Sequence, residues 1–284
     1  MDIAGKVVVV TGGGGGIGEA MCRAFAAHGA KAVAVADIDE AGARRVAEDI
    51  NAAGGTATAT KVDAGNEAEV KALVAATEEA HGDIDLFCAN AGIIVIGGVE
   101  VPDDQWERIW QVNVASHIYA ARAVLPKMIR RGDGYLLHTA SAAGLLTQVG
   151  SAPYSVTKHA VVGLAEWLSI THGDSGVKVS CLCPQAVETA MTGGARQTVA
   201  EATGNTDVDP AHVSSAARDG VLQPTDVAKV VIEGLADERF LILPHPEVAT
   251  YEQRRAGDRE RWLRGMRKVN RAMMSAWLGG NAQP

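Results

Sequence analysis

The chain alternates short apolar runs with longer amphipathic stretches, and this alternation limits the possible folds more than any other feature of the sequence. Seven apolar runs have the length of strands: Lys6–Thr11, Ala32–Asp37, Thr56–Asp63, Ile84–Asn90, Gly134–Ser141, Val177–Cys183 and Phe240–Leu243. Helical patterns fall near 17–29, 39–53, 66–81, 103–131, 153–172 and 225–236. Continuously apolar strands are typical of a parallel sheet covered on both faces. The alternation therefore predicts an α/β fold with a doubly wound parallel sheet.

Two segments interrupt this alternation. Residues 190–224 follow the sixth predicted strand and contain no strand-like run. Because ligands bind beyond the carboxyl ends of strands in an open α/β sheet, an insertion there predicts a lid over a binding site. Residues 251–284 place apolar side chains on one helical face: Trp262, Met266, Val269, Met273 and Trp277. This face predicts a helix that packs on its own domain or on a sister subunit, in preference to a membrane.

The expected organisation is a single catalytic domain over residues 1–250, with the lid at 190–224 included, followed by a C-terminal helical extension over 251–284. The extension differs from the domain in charge as well as in pattern. It holds eight basic and three acidic residues, whereas the whole chain has a net charge of −8. An acidic body argues against a nucleic-acid partner, which would need a basic surface.

Composition excludes further classes of protein. Apolar residues make up 47% and charged residues 21% of the 284 positions, which excludes a mainly disordered chain. No apolar run approaches the length of about 18 residues that a membrane span needs, and residues 1–10 do not form a secretory signal. We therefore expect a cytoplasmic protein with no membrane contact.

Cysteines and histidines do not form a pattern with a special function. The four cysteines, at positions 22, 88, 181 and 183, do not have the pattern of a disulfide framework, which favours a reducing compartment. Cys181 and Cys183 have no Cys or His pair at metal spacing, so buried thiols and no metal are expected. Of the eight histidines, His117 is expected on a helix surface and His138 inside the core.

The first predicted strand runs into the sequence TGGGGGIG, from Thr11 to Gly18, and then into a helix. Glycines let the backbone turn sharply and approach a pyrophosphate, and the following helix presents unpaired N–H groups and the positive end of its dipole. Five consecutive glycines match almost any glycine pattern. The position between a strand and a helix is what predicts a dinucleotide site.

Asp37 ends the second predicted strand, nineteen residues after Gly18. An acidic side chain at this position binds the hydroxyls of the adenosine ribose and repels a 2′-phosphate. Neither Gly14 nor Gly15 supplies a basic side chain, and Ile38 is neutral. The sequence therefore predicts NAD as the cofactor in preference to NADP. An aspartate that merely opens the next helix is the alternative, but it does not account for the glycine run.

Tyr154 and Lys158 lie four residues apart at the start of a predicted helix, and Ser141 ends the strand before it. This spacing places the phenol and the ammonium on one helix face. A nearby cation favours the phenolate, and such a phenol can exchange a proton with an alcohol while Ser141 holds the same oxygen. A Tyr–Lys pair alone is common in proteins. Its place at the carboxyl edge of the sheet favours a catalytic role.

Together these motifs resemble the short-chain dehydrogenase/reductase family over roughly residues 5–245. The residues that carry the resemblance are TGxxxGIG at 11–18, Asp37, Asp63, NAG at 90–92, Asn113, Ser141, Tyr154, Lys158, Pro184 and Thr189. The resemblance implies a Rossmann-type sheet, usually of seven strands, with helices on both faces. It also implies NAD(P)-dependent hydride transfer and a homo-oligomer, a tetramer or a dimer, formed through the helices near 103–131 and 153–172.

The resemblance implies a role for each matched residue. Tyr154 is the implied acid/base, Ser141 orients the carbonyl or hydroxyl, and Lys158 binds the nicotinamide ribose. Asn113 is implied to support a water that leads protons towards Lys158. Cofactor contacts are implied for Tyr154 and Lys158 and for the following residues: Gly12, Gly16, Ile17, Gly18, Asp37, Ile38, Asp63, Ala64, Asn90, Ala91, Gly92, Pro184, Val187 and Thr189.

The chain departs from the family pattern at Gln185, where the family usually has glycine after the proline. A buried amide needs hydrogen-bond partners. Gln185 is therefore expected either to point into the cleft or to bond the backbone of the lid. The basic extension after Pro244 is the second departure.

The predicted function is NAD-dependent oxidation of a secondary alcohol, or the reverse reduction of a ketone, with a small-molecule substrate. Leu145, Leu146 and Met191 near the expected pocket indicate a lipophilic substrate. The alternative from another class is an NAD-sensing binding protein that keeps the fold without the chemistry. The complete set of implied catalytic residues argues against this alternative.

Overall fold

Seven parallel strands form one sheet in the order β3-β2-β1-β4-β5-β6-β7. The computed structural model describes residues 1–193, 197, 200 and 215–277. The strands are β1 (Val7–Thr11), β2 (Ala32–Asp37), β3 (Ala57–Lys61), β4 (Leu86–Ala89), β5 (Gly134–Thr139), β6 (Val177–Leu182) and β7 (Leu241–Ile242). Each strand falls within a predicted apolar run, and the doubly wound parallel sheet is confirmed.

Helices cover both faces of the sheet. They are α1 (Gly16–Ala27), α2 (Glu40–Ala52), α3 (Glu67–His81), α4 (Asp103–Trp110), α5 (Ser116–Arg131), α6 (Ala142–Leu146), α7 (Ala152–His172), α8 (Pro224–Ala236), α9 (Glu247–Gly257) and α10 (Arg259–Trp277). Phe25 of α1 and Leu235 of α8 belong to the core on one face. Leu73 of α3 and Leu168 of α7 belong to the core on the other face.

The central strand β1 is buried along its whole length and contributes to both cores. Val8 and Val10 face one core, and Val7 and Val9 face the other. β1 pairs with β2 on one side and with β4 on the other. The order of the chain therefore reverses across β1. In open α/β sheets such a reversal opens a crevice at the carboxyl ends of the strands.

The edge strand β3 differs from the continuously apolar run that the sequence predicted. Its sequence is ATATK, and only Ala57 is buried. Because β3 has a neighbouring strand on one side only, its remaining side chains lie partly in solvent. The covering helices thus account for burial in the central strands but not at this edge.

The helix predicted over residues 103–131 contains an irregular turn in its middle. Gln111–Ala115 forms a π-helical turn that joins α4 to α5. Such turns are rare and occur often at functional sites. The turn carries Asn113, which is fully buried. The sequence pattern predicted the helix but not this turn.

The prediction that His117 lies on a helix surface is wrong. Its ring is fully buried, as predicted for His138, and the two Nδ1 atoms lie 2.9 Å apart. Burial lowers the pKa of both rings, to about 4 for His138. Both are therefore neutral near pH 7, and one Nδ1 donates to the other. This pair links α5 to β5 inside the core.

The C-terminal segment forms the helices α9 and α10. Val248, near the start of α9, is fully buried in the main core. Near the end of α10, Met273 is buried and lies with Trp277 against Gly150 of the same chain. The predicted lid over 190–224 lies mostly outside the described residues, as do residues 278–284. No helix in the described part is long and apolar enough to cross a membrane.

Candidate active site

The glycine loop between β1 and α1 leaves a hollow lined by backbone. Gly12 and Gly16 have φ values of +67° and +52°, which L side chains rarely adopt. A Cβ at Gly18 would lie 1.9 Å from the carbonyl oxygen of Gly12, whereas a Cβ at Gly15 would meet nothing within 4 Å. No side chain among the described residues caps α1 at Gly15. The first N–H groups of α1, at Gly16, Ile17 and Gly18, are thus available to an anionic group.

Asp37 lies beside this hollow, at the end of β2. Its carboxylate accepts the N–H of Gly14 at 2.9 Å. A Cβ at Gly14 would lie 3.1 Å from the same carboxylate and 2.9 Å from the backbone nitrogen of Ala43, so glycine is the residue that fits here. The next side chain, Ile38, is 56% exposed. The carboxylate is therefore held at the edge of the hollow by backbone.

The sequence indicated no basic side chain near Asp37, and on this point the structure differs. Arg45 of α2 donates to the carbonyl oxygen of Gly14 at 3.1 Å. The same guanidinium forms an ion pair with Glu19 at 2.6 Å. This contact lowers the pKa of Glu19. Arg45 reaches Gly14 only through tertiary structure, and its charge is matched by Glu19.

At the end of β3, Asp63 has a partner that the sequence did not reveal. Its carboxylate forms an ion pair with Arg108 of α4 at 3.0 Å and accepts the N–H of Gly65 at 2.9 Å. Ala64 is buried beside it. The carboxylate that the resemblance assigned to the adenine is thus fixed by α4.

At the end of β4, Asn90 holds the glycine loop in place. Its Nδ2 donates to the carbonyl oxygens of Thr11 and Gly12 at 3.1 and 3.4 Å. The Thr11 hydroxyl in turn accepts the N–H groups of Asn90 and Ala91. These bonds join the two strands that border the crevice.

Ser141, Tyr154 and Lys158 come together beyond the carboxyl end of β5. Ser141 caps α6 by accepting the N–H of Ala143 at 3.1 Å. Tyr154 lies in the first turn of α7, and Lys158 one turn later places its Nζ 5.6 Å from the centre of the Tyr154 ring. The Lys158 Nζ donates to the carbonyl oxygen of Thr139 at 2.9 Å. The end of β5 thus anchors the ammonium directly.

Burial dominates the acid–base properties of this group. Tyr154 is 8% exposed and Lys158 is 2% exposed. Burial raises the pKa of Tyr154, and a hydrogen bond with Ser141 opposes this. Burial lowers the pKa of Lys158 from 10.5 to about 8. The sequence led us to expect a phenolate favoured by the cation, but in this structure desolvation outweighs that attraction and favours the neutral phenol.

Asn113 is connected to the same group through backbone and a threonine. Its Nδ2 donates to the carbonyl oxygen of Ile93 at 2.9 Å and to the Thr157 hydroxyl at 3.2 Å, and its Oδ1 accepts the N–H of Ile93 at 2.8 Å. A Cβ at Gly92 would lie 3.4 Å from both Asn113 Oδ1 and Lys158 Nζ. Gly92 therefore lies between the two side chains.

The segment beyond β6 connects the group of Ser141, Tyr154 and Lys158 to the glycine loop. It begins at Pro184, and Val187 then forms an isolated parallel bridge with Leu222. The Cγ2 atom of Thr189 lies 3.1 Å from the position that a Cβ at Gly16 would take. The segment thus spans from Ser141 to the start of α1 along one side of the crevice.

A cavity of about 810 Å³ opens on the other side, and the tail helices form one of its walls. Its lining is shared by α6, the residue after Pro184, the end of the lid segment, and α9 and α10: Ala142, Ala143, Leu146, Thr147, Gln148, Gln185, Ala216, Arg218, Asp219, Tyr251, Arg254, Gly257, Asp258, Arg261, Trp262, Gly265, Met266 and Val269. Of the predicted pocket residues, Leu146 lines the cavity. Met191 instead packs against the cluster of Tyr154, and Leu145 is buried in the main core. The tail helices therefore line a cavity of their own chain.

Gln185 combines parts of the two arrangements expected for it. It lines the cavity, and its Nε2 donates to the carboxylate of Asp219 at 2.8 Å. Tyr251 of α9 donates to the other carboxylate oxygen at 2.9 Å. The amide thus bonds a lid side chain, Asp219, among the residues that the structure describes. Asp219 joins the end of β6, the lid and the tail, a connection that no local motif indicates.

Among the described residues, no group of three or more His, Cys, Asp or Glu side chains could hold a metal ion. All four cysteines are free and buried, and burial raises the pKa of Cys22 and Cys88.

Comparison with known proteins yields consistent matches. A family model described as short chain dehydrogenase matches residues 6–200. A 1-deoxy-11-beta-hydroxypentalenate dehydrogenase from Streptomyces exfoliatus is 33% identical over 251 residues, which cover 87% of this chain and 86% of the relative. A short chain dehydrogenase/reductase from Burkholderia phymatum, solved in complex with NAD, is 32% identical with a TM-score of 0.81, covering 92% of this chain and 96% of that one.

A second solved structure adds a ligand-bound relative. It is a 7 alpha-hydroxysteroid dehydrogenase complexed with NADH and 7-oxo glycochenodeoxycholic acid. It is 25% identical with a TM-score of 0.72 and covers 85% of this chain and 93% of that one. The matches extend over most of the chain in both sequence and fold.

The buried ammonium of Lys158 gives a test of the site through stability. Its pKa is about 8 in the folded protein and near 10.5 when unfolded, so below pH 8 the folded state bears the full cost of the buried charge. Lys158→Met should therefore raise the free energy of unfolding at pH 7 by about 1–3 kcal/mol, less than the full linkage value because the bond to Thr139 is lost.

Between pH 8 and 10.5 the unfolded chain binds more protons than the folded one, so the unmutated protein gains stability as the pH rises. The difference in free energy of unfolding between Lys158→Met and the unmutated protein should therefore shrink. Urea unfolding at pH 7 and pH 10 measures the free energy of unfolding of both proteins. Lys268→Met, at an exposed position on α10, is the control. A Lys158→Met variant that is less stable at both values would contradict the assignment of a costly buried charge.

Proposed function

This chain belongs to the short-chain dehydrogenase/reductase family and is an oxidoreductase of CH–OH groups, and from that premise we propose that it oxidises a lipophilic secondary alcohol with NAD, or reduces the corresponding ketone. The observation that carries the proposal is the meeting of Ser141, Tyr154 and Lys158 beside α6, the helix that lines a cavity with Ala142, Ala143 and Leu146. A phenol beside an ammonium can exchange a proton with an alcohol oxygen.

The hollow of the glycine loop fits a dinucleotide. The space at Gly15 and the uncapped start of α1 leave room for a pyrophosphate against backbone N–H groups. Glycine at position 18 lets α1 pack closely against Gly12. Asp37 and Ile38 would hold the adenosine ribose, Asp63 and Ala64 the adenine, and Asn90, Ala91 and Gly92 the same nucleoside from the β4 side. Val187 and Thr189 would hold the nicotinamide carboxamide, and Pro184 would also contact the cofactor. When bound, NAD supplies the acceptor for the hydride of the carbinol carbon.

The carboxylate of Asp37 supports NAD over NADP, because a 2′-phosphate would meet its negative charge. Arg45 is the nearby cation that could offset this repulsion. Its ion pair with Glu19 already occupies it. The solved relative from Burkholderia phymatum is in complex with NAD, which is consistent with this choice.

The side chains of this chain divide the proton chemistry among them. During oxidation Tyr154 first releases its own proton towards Lys158 and solvent and then takes the hydroxyl proton of the alcohol, while Ser141 holds the same oxygen by a hydrogen bond. Lys158 binds the nicotinamide ribose and holds a positive charge near the phenol. Asn113 supports a water that connects Lys158 to solvent. Burial raises the pKa of Tyr154 and lowers the pKa of Lys158, so the phenol holds its proton more firmly than the ammonium does.

The apolar lining supports a lipophilic substrate. Leu146, Trp262, Met266 and Val269 contribute to the cavity wall. One matched relative is named for 1-deoxy-11-beta-hydroxypentalenate, and another is a 7 alpha-hydroxysteroid dehydrogenase complexed with 7-oxo glycochenodeoxycholic acid, which is consistent with a lipophilic substrate. We also propose a catalytic domain over residues 1–250 and a C-terminal extension over 251–284, and α9 crosses the boundary between them. A cytoplasmic location agrees with four free cysteines.

A homo-oligomer, a tetramer or a dimer, completes the proposal. The outer face of α7 presents Val156, Trp167 and Ile170, of which Trp167 is 56% and Ile170 83% exposed. These residues recur at helical spacing along one face. Apolar side chains grouped in this way mark interaction surfaces.

The first prediction concerns the acid/base. Tyr154→Phe removes only the hydroxyl, so turnover of secondary alcohols with NAD should fall by at least ~10²-fold while the dissociation constant for NAD changes little. Steady-state kinetics and NAD titration measure the two effects. Tyr119→Phe, at a tyrosine on α5 that bonds Gln111, is the matched control.

Near-normal turnover in Tyr154→Phe would assign the chemistry to another group. Tight NAD binding by the unmutated protein, without turnover of any alcohol or ketone in a broad panel, would favour an NAD-sensing protein instead.

The second prediction concerns the cofactor. Asp37→Ala should narrow the preference for NAD, and Asp37→Ala with Ile38→Arg should reverse it, because a guanidinium would then face the 2′-phosphate. The ratio of kcat/KM for NAD and NADP measures both steps. Equal efficiency with the two cofactors in the unmutated protein would rule out this role of Asp37.

The third prediction concerns assembly. Ile170→Asp introduces a charge into the exposed face of α7 and should lower the molar mass in analytical ultracentrifugation, since a buried unpaired charge is costly at an interface. Lys268→Asp on the exposed face of α10 should leave the mass unchanged. A monomeric unmutated protein would refute the oligomer.

A further inference from the structure

The cavity beside Ser141 is apolar in its middle but has three arginines on its wall. They come from three different parts of the chain: Arg218 from the end of the lid segment, Arg254 from α9 and Arg261 from α10. Two of them belong to the tail that the family pattern does not include. All three arginines are exposed, and each contributes to the lining of the cavity.

Within the described part of the chain, none of these three guanidiniums has an ion pair or a side-chain hydrogen bond, although Arg255, next to Arg254, contacts His159 at 3.5 Å. Guanidinium groups in a partly apolar wall favour an anionic partner, and they bind a carboxylate through two parallel hydrogen bonds.

The acidic residues of the same wall already have partners of their own. Asp219 accepts from Gln185 and Tyr251, one bond to each oxygen. Asp258 accepts the backbone N–H of Arg261 at 2.9 Å and so caps the start of α10. Both carboxylates therefore help to fix the cavity wall while keeping their charge, and three arginines against two aspartates leave the lining with a net positive charge.

We propose that Arg254 and Arg261, assisted by Arg218, bind the carboxylate of the substrate, so that the substrate is an apolar hydroxy acid or keto acid. This inference rests on the proposed function, because it takes Ser141 and Tyr154 as the groups that receive the hydroxyl end. The apolar wall formed by Leu146, Trp262 and Met266 covers the body of the molecule between its two polar ends. The tail thereby determines specificity for the acid.

Binding is tested first, with no chemistry required. The probes are deoxycholate, which has a rigid apolar body, secondary hydroxyls and one carboxylate, and its neutral methyl ester. Isothermal titration calorimetry is carried out on the full chain saturated with NADH, which cannot accept a hydride from the probes. The acid should bind at least about tenfold more tightly than the ester, and added salt should weaken only the acid.

Variants then locate the carboxylate site. Arg254→Gln with Arg261→Gln should remove the difference between acid and ester, and the affinity for the ester should change little. Arg264→Gln is the matched control, since it removes an exposed arginine of α10 that does not line the cavity. Tyr154→Phe should keep the full difference, because it removes no charge from the cavity wall.

Several results would overturn the inference. The inference is wrong if the acid binds no more tightly than its ester, and it is also wrong if neither probe binds. It is wrong as well if the affinity difference between acid and ester survives in Arg254→Gln with Arg261→Gln. The same holds if that double variant changes the molar mass of the protein instead of binding.

The proposed function is judged separately, by oxidation of the two probes with NAD. Equal KM values for acid and ester would leave the dehydrogenase intact and refute the carboxylate site. A binding difference without NAD-dependent oxidation of any alcohol would support the carboxylate site and refute the proposed function.

Discussion

The pairing of β1 with β2 on one side and β4 on the other is the constraint on which the rest of this structure depends. Because all strands are parallel, the carboxyl ends of β1, β2, β4 and β5 meet at one edge of the sheet. The reversal of chain order across β1 makes the loops there diverge. The glycine loop, Asp37 and Ser141 come from distant parts of the sequence and reach one crevice for this reason. The hydrogen bonds of Asn90 to Thr11 and Gly12 then fix the crevice at its centre.

The chemistry of the site carries a cost in stability that the rest of the sheet must bear. Lys158 is almost fully buried, and its ammonium is compensated by the carbonyl oxygen of Thr139. A buried charge with one neutral partner is destabilising. The cores on the two faces of the sheet provide the stability that tolerates it. The cost and the perturbed pKa values have the same origin, which is the removal of water from around Tyr154 and Lys158.

The tail joins the site through contacts rather than through a motif. Asp219 links Gln185 to Tyr251, so the residue that departs from the family pattern is bonded to the segment that the pattern lacks. The two departures are thus parts of one cavity wall. Chain-specific features lie where a substrate would be distinguished, and the family residues lie where the cofactor and the proton chemistry are expected. Variation of the wall changes the substrate while the sheet and its crevice stay the same.

The sequence by itself determined the elements, their order and the parallel sheet, because burial on both faces requires continuous apolar strands and because crossovers are right-handed. It also placed Tyr154 and Lys158 on one helix face, since that depends on local spacing alone. Only the tertiary structure decided the π-helical turn at Asn113, the burial of His117, the approach of Arg45 to Gly14, and the pairing of Asp63 with Arg108. These arrangements depend on which distant elements pack together. Desolvation and side-chain pairing are set by that packing, and no spacing along the chain encodes them.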